Sequence, residues 1–173
     1  MSTPIYLNML QTDMLGLIGV AVSSRGLLRL RMFQQDADAF LSLNKAYGEG
    51  EYQFADSETA QYLEQITSYL AGDLQAFSLP IDWAGYTDFQ KAVLRETQAI
   101  PYGQTLSYGQ VAAAIGRPKA SRAVGQAEKQ NDVPLVIPCH RVIGSDGSLT
   151  GYGGKDNTDI KKQLLEFEKR GLK

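Results

Sequence analysis

The chain has 173 residues, 43% hydrophobic and 21% charged, with a formal net charge of −2. These proportions exclude a disordered chain, which needs fewer apolar residues and more net charge, and no apolar run approaches the roughly 20 residues that span a bilayer. One cysteine and one histidine exclude an intramolecular disulfide framework and the ligand set of a structural zinc site, leaving a lone reactive thiol open.

The N-terminus, Met1-Ser2-Thr3-Pro4-Ile5, has no basic patch followed by an apolar stretch. The expected address is therefore cytoplasmic. Tyr6–Thr12 and Leu17–Ser23 are apolar-rich runs separated by the turn candidate Asp13-Met14-Leu15-Gly16. Ser24-Arg25-Gly26 turns again, and Leu28, Leu30 and Met32 then alternate with Arg29 and Arg31 as in a half-buried strand. Three strands joined by short turns predict an antiparallel meander. Asp36–Tyr47 reads as a helix ended by Gly48-Glu49-Gly50. A second helix is expected from an N-cap at Asp56 or Ser57 to a stop at Gly72, with Ala60, Leu63, Ile66 and Leu70 as its apolar stripe. No cluster in this half reads as chemistry, so its expected role is support. Residues 73–86, with Pro80 and Gly85 and no clear period, read as a connection.

The charge changes sign at this point. Residues 1–86 carry 4 basic and 10 acidic side chains, and residues 87–173 carry 13 and 9. An acidic half joined to a basic half suggests two domains, 1–86 and 87–173, of which only the second meets a polyanion; uneven sampling of solvated charge explains the same numbers equally well. Thr87-Asp88-Phe89-Gln90 is a capping box opening a helix that runs to about Ala99, and Pro101-Tyr102-Gly103 breaks it. Ser107 caps a short helix, Gly116-Arg117-Pro118 turns, and Lys119–Ala127 begins another helix. Helix, tight turn and a helix with basic residues near its start make the helix-turn-helix pattern, although many helical hairpins share it without touching DNA.

The apolar run Val133–Ile137 reads as a strand leading into Pro138-Cys139-His140-Arg141-Val142. A lone cysteine is usually a small buried hydrophobe, but adjacency to the one histidine shifts the reading. A thiolate needs a proton acceptor and positive potential, which His140 and Arg141 can supply. In a regular strand adjacent side chains face opposite ways. Pro138 is therefore expected to mark where the strand ends, with a water bridging the pair.

Pro138-Cys139-His140-Arg141-Val142 resembles the active-site motif of the O6-alkylguanine-DNA alkyltransferases (methylated-DNA–protein-cysteine methyltransferases). The resemblance spans about Thr87 to Glu168. It includes Ile100-Pro101-Tyr102-Gly103, Ser107-Tyr108-Gly109, Arg122-Ala123-Val124-Gly125 and Gly151-Tyr152-Gly153-Gly154. The implied fold is an α/β N-terminal domain with a three-stranded antiparallel sheet, followed by a mostly helical C-terminal domain containing a winged helix-turn-helix. The implied activity is single-turnover DNA repair. The protein flips O6-alkylguanine out of duplex DNA and transfers the alkyl group irreversibly to Cys139, without cofactor or metal, as a monomer. Its implied partner is double-stranded DNA carrying O6-alkylguanine, with O4-alkylthymine as a further lesion, and no membrane.

The resemblance also implies roles for single residues. His140 takes the Cys139 proton through a water, Glu168 orients His140, and Asn131 joins the network and pins the turn. Arg122 enters the stack, with Ala123 beside it. Tyr108 rotates the phosphate and bonds the flipped base. Tyr152 and the Gly153 N–H line the pocket near the guanine O6. Arg141 is grouped with the base-binding residues, and Lys161 stands at the far side of the pocket. Base extrusion fits the chemistry, because the alkyl carbon is out of reach inside a duplex. Several positions depart from the family pattern. Asp132 follows Asn131 where proline is usual, Glu128 is expected to repel phosphate, and Lys155–Asp159 reads about two residues long, which makes Glu166 the competitor of Glu168. Two other functions compete: a non-enzymatic lesion binder, against which Cys139 argues, and a Cys/His hydrolase, which has no need of Arg122 and Tyr108.

Overall fold

The computed structural model describes residues 4–33, 51–152 and 158–172. It divides into two compact units, Met1–Trp83 and Ala84–Lys173. Among the described residues no helix is long and apolar enough to cross a membrane.

The first unit is built on β1 (Ile5–Thr12), β2 (Gly16–Ser23) and β3 (Gly26–Phe33), with β4 (Tyr52–Phe54) and helix α1 (Asp56–Ala71). The sheet order is β3-β2-β1-β4. The first three strands form the antiparallel meander, and β4 adds to β1 in parallel, Ile5 opposite Tyr52. The sheet is therefore four-stranded and mixed, not three-stranded and antiparallel. β4 is only three residues long, too short to show a period in sequence. The expected helix over Asp36–Tyr47 lies outside the described residues.

The alternation expected in β3 is interrupted. Val22 pairs with Leu27 and Ala21 with Arg29, which leaves Leu28 as the extra residue of a bulge. Leu27 and Leu30 are consequently both fully buried, and Leu28 is only half-buried. The chain after α1 is stitched to this strand: Leu27 N–H donates to Pro80 O at 2.8 Å, and Asp82 N–H to Leu27 O at 3.0 Å. Gly26 has φ +130, and a Cβ there would lie 2.5 Å from Pro80 O, so the close approach requires glycine.

Helix α1 also differs from expectation. Its N-cap is Ala55, without a side-chain cap. Its buried face is Thr59, Tyr62, Ile66 and Tyr69, rotated from the Ala60–Leu63–Leu70 stripe. The two tyrosines bring more apolar area than the aliphatic residues they displace. The Thr59 hydroxyl is tolerated inside because it donates to Ala55 O at 2.6 Å.

The second unit comprises α2 (Asp88–Gln98), β5 (Leu106–Ser107), α3 (Tyr108–Ala114), α4 (Ser121–Lys129), a single 3-10 turn (Cys139–Arg141), β6 (Val142–Ile143) and α5 (Thr158–Gly171). Capping boxes open α2 (Thr87 with Gln90) and α3 (Ser107 with Gln110). Val93, Ile100, Val111, Val124 and Val142 meet in one core. α3 and α4 are joined across Gly116, whose φ of +73 allows the tight turn. β5 pairs with β6 in parallel, Leu106 opposite Val142. That short ladder brings the start of α3 beside the Cys139 turn.

Candidate active site

Val133–Ile137 is not a strand. It is a buried turn in which Leu135 adopts φ +74 and Ile137 N–H donates to Val133 O at 3.0 Å. Asn131 holds the turn from both sides: Nδ2 donates to Ile137 O at 2.9 Å, and Oδ1 accepts from Val133 N–H at 3.0 Å. The chain then enters the 3-10 turn, with Arg141 N–H donating to Pro138 O at 2.8 Å. Successive side chains in a 3-10 turn are about 120° apart. Cys139 and His140 therefore do not face opposite ways as they would in a strand.

Glu168 is the hub of the buried layer under Cys139. It is fully buried, and it accepts from His140 Nε2 at 2.7 Å, from Arg141 Nη2 at 2.8 Å and from Gly103 N–H at 3.0 Å. Arg141 Nη1 donates to Ile100 O at 2.6 Å. The Ile100–Gly103 turn is thus tied to the Cys-His-Arg turn at two points. Glu166 instead points outward, 4.0 Å from exposed Lys162. α5 buries Lys161, Leu164 and Glu168, a spacing of three and four.

This geometry sets the state of the histidine. A carboxylate ringed by donors accepts from Nε2–H, so the lone pair of His140 is on Nδ1. Burial pushes the His140 pKa below its ordinary value; the bond to Glu168 opposes that shift, and Arg141 and Lys161 add to it. His140 is therefore a neutral proton acceptor. Arg141 differs from its expected place among the base-binding residues. It is buried, and its guanidinium is spent on Glu168 and Ile100 O.

Cys139, Tyr108, Arg122 and Lys161 line one cavity of about 660 Å³, closed on another side by the Gly144–Asp146 and Thr150–Gly151 loops. Tyr108 Oη is 2.5 Å from Thr150 Oγ1, and Lys161 Nζ donates to Tyr108 Oη at 3.4 Å. Burial raises the Tyr108 pKa, so the phenol keeps its proton. Burial lowers that of Lys161, opposed by Cys139 and Glu128. Arg122 is exposed in the first turn of α4, as is Ala123. Tyr152 is buried with its ring edge-on to His140, 6.0 Å between centroids. Gly153 lies outside the described residues. Asp132 is half-buried and does not line the cavity.

Glu128 is the residue that sequence reasoning misassigns. It does not face phosphate: it is 6% exposed, bonded to Thr97 and part of the cavity wall. One signal in the sequence points to this place. Ala127 and Glu128 lie three and four residues after Val124, and all three are buried on one inward face of α4. Burial pushes the Glu128 pKa from 4.5 up to about 7, against the opposing effects of Thr97 and Lys161. Between those two values the folded state holds the proton more tightly than the unfolded chain, so folding weakens as pH rises from 4.5 to 7. Glu128→Gln removes this titration. Its stability relative to the unaltered protein should therefore grow across that window, by on the order of 2–3 kcal/mol. His140 works in the opposite direction, weakening folding as pH falls below its ordinary value, but it is common to both proteins and cancels. Urea midpoints at pH 5 and pH 7.5 check this, and an identical pH dependence in both proteins would contradict it.

A family model described as 6-O-methylguanine DNA methyltransferase, DNA binding domain, matches residues 88–170. The chain is 49% identical over 114 residues to the constitutive methylated-DNA–protein-cysteine methyltransferase of Bacillus subtilis, covering 66% of this chain and 68% of that one. It is 42% identical over 156 residues to the methylated-DNA–protein-cysteine methyltransferase of Mycolicibacterium paratuberculosis, covering 90% and 88%. The crystal structure of Mycobacterium tuberculosis OGT in complex with DNA superposes with a TM-score of 0.80 at 35% identity, over 96% of this chain and 94% of that one. With the buried Cys-His-Glu layer and nine-tenths of the chain matched at this identity, the chain belongs to the methylated-DNA–protein-cysteine methyltransferase family.

Proposed function

We propose that the protein repairs O6-alkylguanine in duplex DNA by moving the alkyl group to Cys139, once per molecule. The observation that carries this reading is the sulfur at the wall of a base-sized cavity, backed by a neutral histidine fixed by a buried carboxylate. The Cys139 thiol gives its proton, through a water, to His140 Nδ1. The sulfur attacks the alkyl carbon as the bond from that carbon to guanine O6 breaks. The electron pair passes to the guanine ring, which takes a proton from the Tyr108 hydroxyl as that hydroxyl regains one from solvent. Lys161 is the electropositive neighbour of the sulfur. The thioether has no leaving path, so the protein is consumed.

In this reading the 87–173 segment is the DNA-binding and transfer domain and 1–86 supports it. α3, the Gly116 turn and α4 act as the helix-turn-helix, with the short β5–β6 ladder and the loop after it as the wing. Arg122, exposed at the cavity rim, holds the gap left by the extruded nucleotide. Unstacking costs a few kcal/mol, which an inserted side chain partly offsets. Tyr152 and Gly153 serve the pocket near O6, Ala123 packs against the backbone beside Arg122, and Asn131 keeps the turn in shape. Basic side chains of this half, 13 against 9 acidic, favour the polyanion.

Arg122→Ala tests the reading. It should slow repair of O6-methylguanine in a duplex by on the order of 10- to 100-fold, the equivalent of a few kcal/mol of flipping energy, and leave reaction with free O6-benzylguanine nearly unchanged. Equal slowing on both substrates would reject the extrusion role.

A further inference from the structure

Glu128 is an acidic side chain in the wall of a cavity proposed to hold a neutral base. Its Oε1 is bonded to Thr97 Oγ1, and the same hydroxyl lies 3.0 Å from Val93 O. That hydroxyl has one hydrogen, so it cannot serve two acceptors. A neutral Glu128 resolves the conflict by donating from Oε1 to Thr97, which then donates to Val93. The raised pKa of Glu128 agrees with this arrangement. In either protonation state Oε2 is an acceptor. It is buried, with no hydrogen-bond partner among the described residues. Lys161, the neighbouring cation, gives its bond to Tyr108 Oη instead. The other titratable groups lining the cavity are Tyr108, Cys139, Arg122, Lys129 and Asp146.

A desolvated acceptor without a donor is costly unless the ligand supplies one. The ring of O6-alkylguanine has lone pairs at N1, N3, N7 and O6, and its one hydrogen-bond donor is the 2-amino group. O4-alkylthymine has no ring donor at all. We propose that Glu128 is a specificity-determining residue that accepts a hydrogen bond from the 2-amino group of the extruded guanine. The assignment rests on the alkyl-transfer reading above and deepens it: guanine lesions satisfy the wall of the pocket, and thymine lesions leave Oε2 unpaired. Sites that bond a substrate N–H reject analogues lacking it because their own buried group is then stranded.

Single-turnover transfer rates on matched duplexes containing O6-methylguanine or O6-methylhypoxanthine, which differ only in the 2-amino group, test this. The unaltered protein should favour guanine by about tenfold, the worth of one hydrogen bond. Glu128→Met should reduce that ratio several-fold. Glu128→Gln should keep most of it, because its amide nitrogen can donate to Thr97 and leave its oxygen in the place of Oε2. Extrusion costs of the two duplexes cancel when ratios are compared between proteins. An unaltered protein with no preference for guanine overturns the proposal whatever the variants do. So does a ratio in Glu128→Met equal to that of the unaltered protein. Absence of transfer from O6-methylguanine to the unaltered protein is a different result, and overturns the alkyl-transfer reading itself.

Discussion

Cys139→Ala is expected to abolish alkyl transfer while leaving affinity for alkylated duplex within about twofold. Cys139 is the one cysteine of the chain and lines the cavity. Its loss removes the nucleophile outright, which no neighbouring group replaces. The substitution deletes one sulfur atom and no charge, so the phosphate contacts that dominate affinity for DNA are untouched. Transfer of a labelled methyl group to the protein and anisotropy of a fluorescent duplex measure the two quantities separately. A variant that still takes up label would put the acceptor elsewhere. A variant that loses DNA affinity along with transfer would make Cys139 a structural residue.

The second large effect belongs to Glu168→Gln. The buried carboxylate accepts from His140 Nε2, from Arg141 Nε and Nη2, and from Gly103 N–H. An amide turns two more hydrogens toward them and leaves the Arg141 cation uncompensated in the interior. Breaking a buried pair from one side costs about 3–5 kcal/mol, which for a chain of this size lowers the melting temperature by on the order of 10 °C. Transfer should slow by on the order of 100-fold, because His140 is no longer held in the tautomer with Nδ1 free. Glu166→Gln is the control. Its carboxylate is exposed beside Lys162, and its removal should change stability by less than about 0.5 kcal/mol. Melting curves and transfer rates of both variants check this. A larger effect at Glu166 would contradict the Glu168 assignment.

The elements that sequence reading locates well are those specified by neighbours in the chain. The Thr87 and Ser107 caps, the turns at Gly16 and Gly116, and the meander all depend on contacts within a few residues. The elements it misses depend on distant partners. The bulge at Leu28 exists because Leu27 must face the core while its backbone is bonded to Pro80 and Asp82. The inward face of α1 is chosen by tyrosines that a simple aliphatic stripe ignores. Val133–Ile137 has strand-like composition, but Asn131 and the positive φ of Leu135 fold it into a turn.

The site follows the same division. Cys139-His140-Arg141 is legible as chemistry from adjacency and from the family motif. The work of Arg141 is not, because its partners are 27 and 41 positions away at Glu168 and Ile100. Glu128 reads as a surface anion, since helix composition does not reveal the Thr97 hydroxyl waiting 31 positions upstream.

In this mechanism one alkyl group moves from guanine to one sulfur atom. This transfer is tested most directly by intact mass of the unaltered protein after mixing with excess O6-methylguanine duplex, followed by peptide mapping. The expected result is a single increment of about 14 Da, a methyl group in place of the thiol hydrogen, carried only by the peptide containing Cys139 and unchanged by longer incubation. A protein of unaltered mass that nevertheless binds the duplex, or an increment on any other residue, would contradict it.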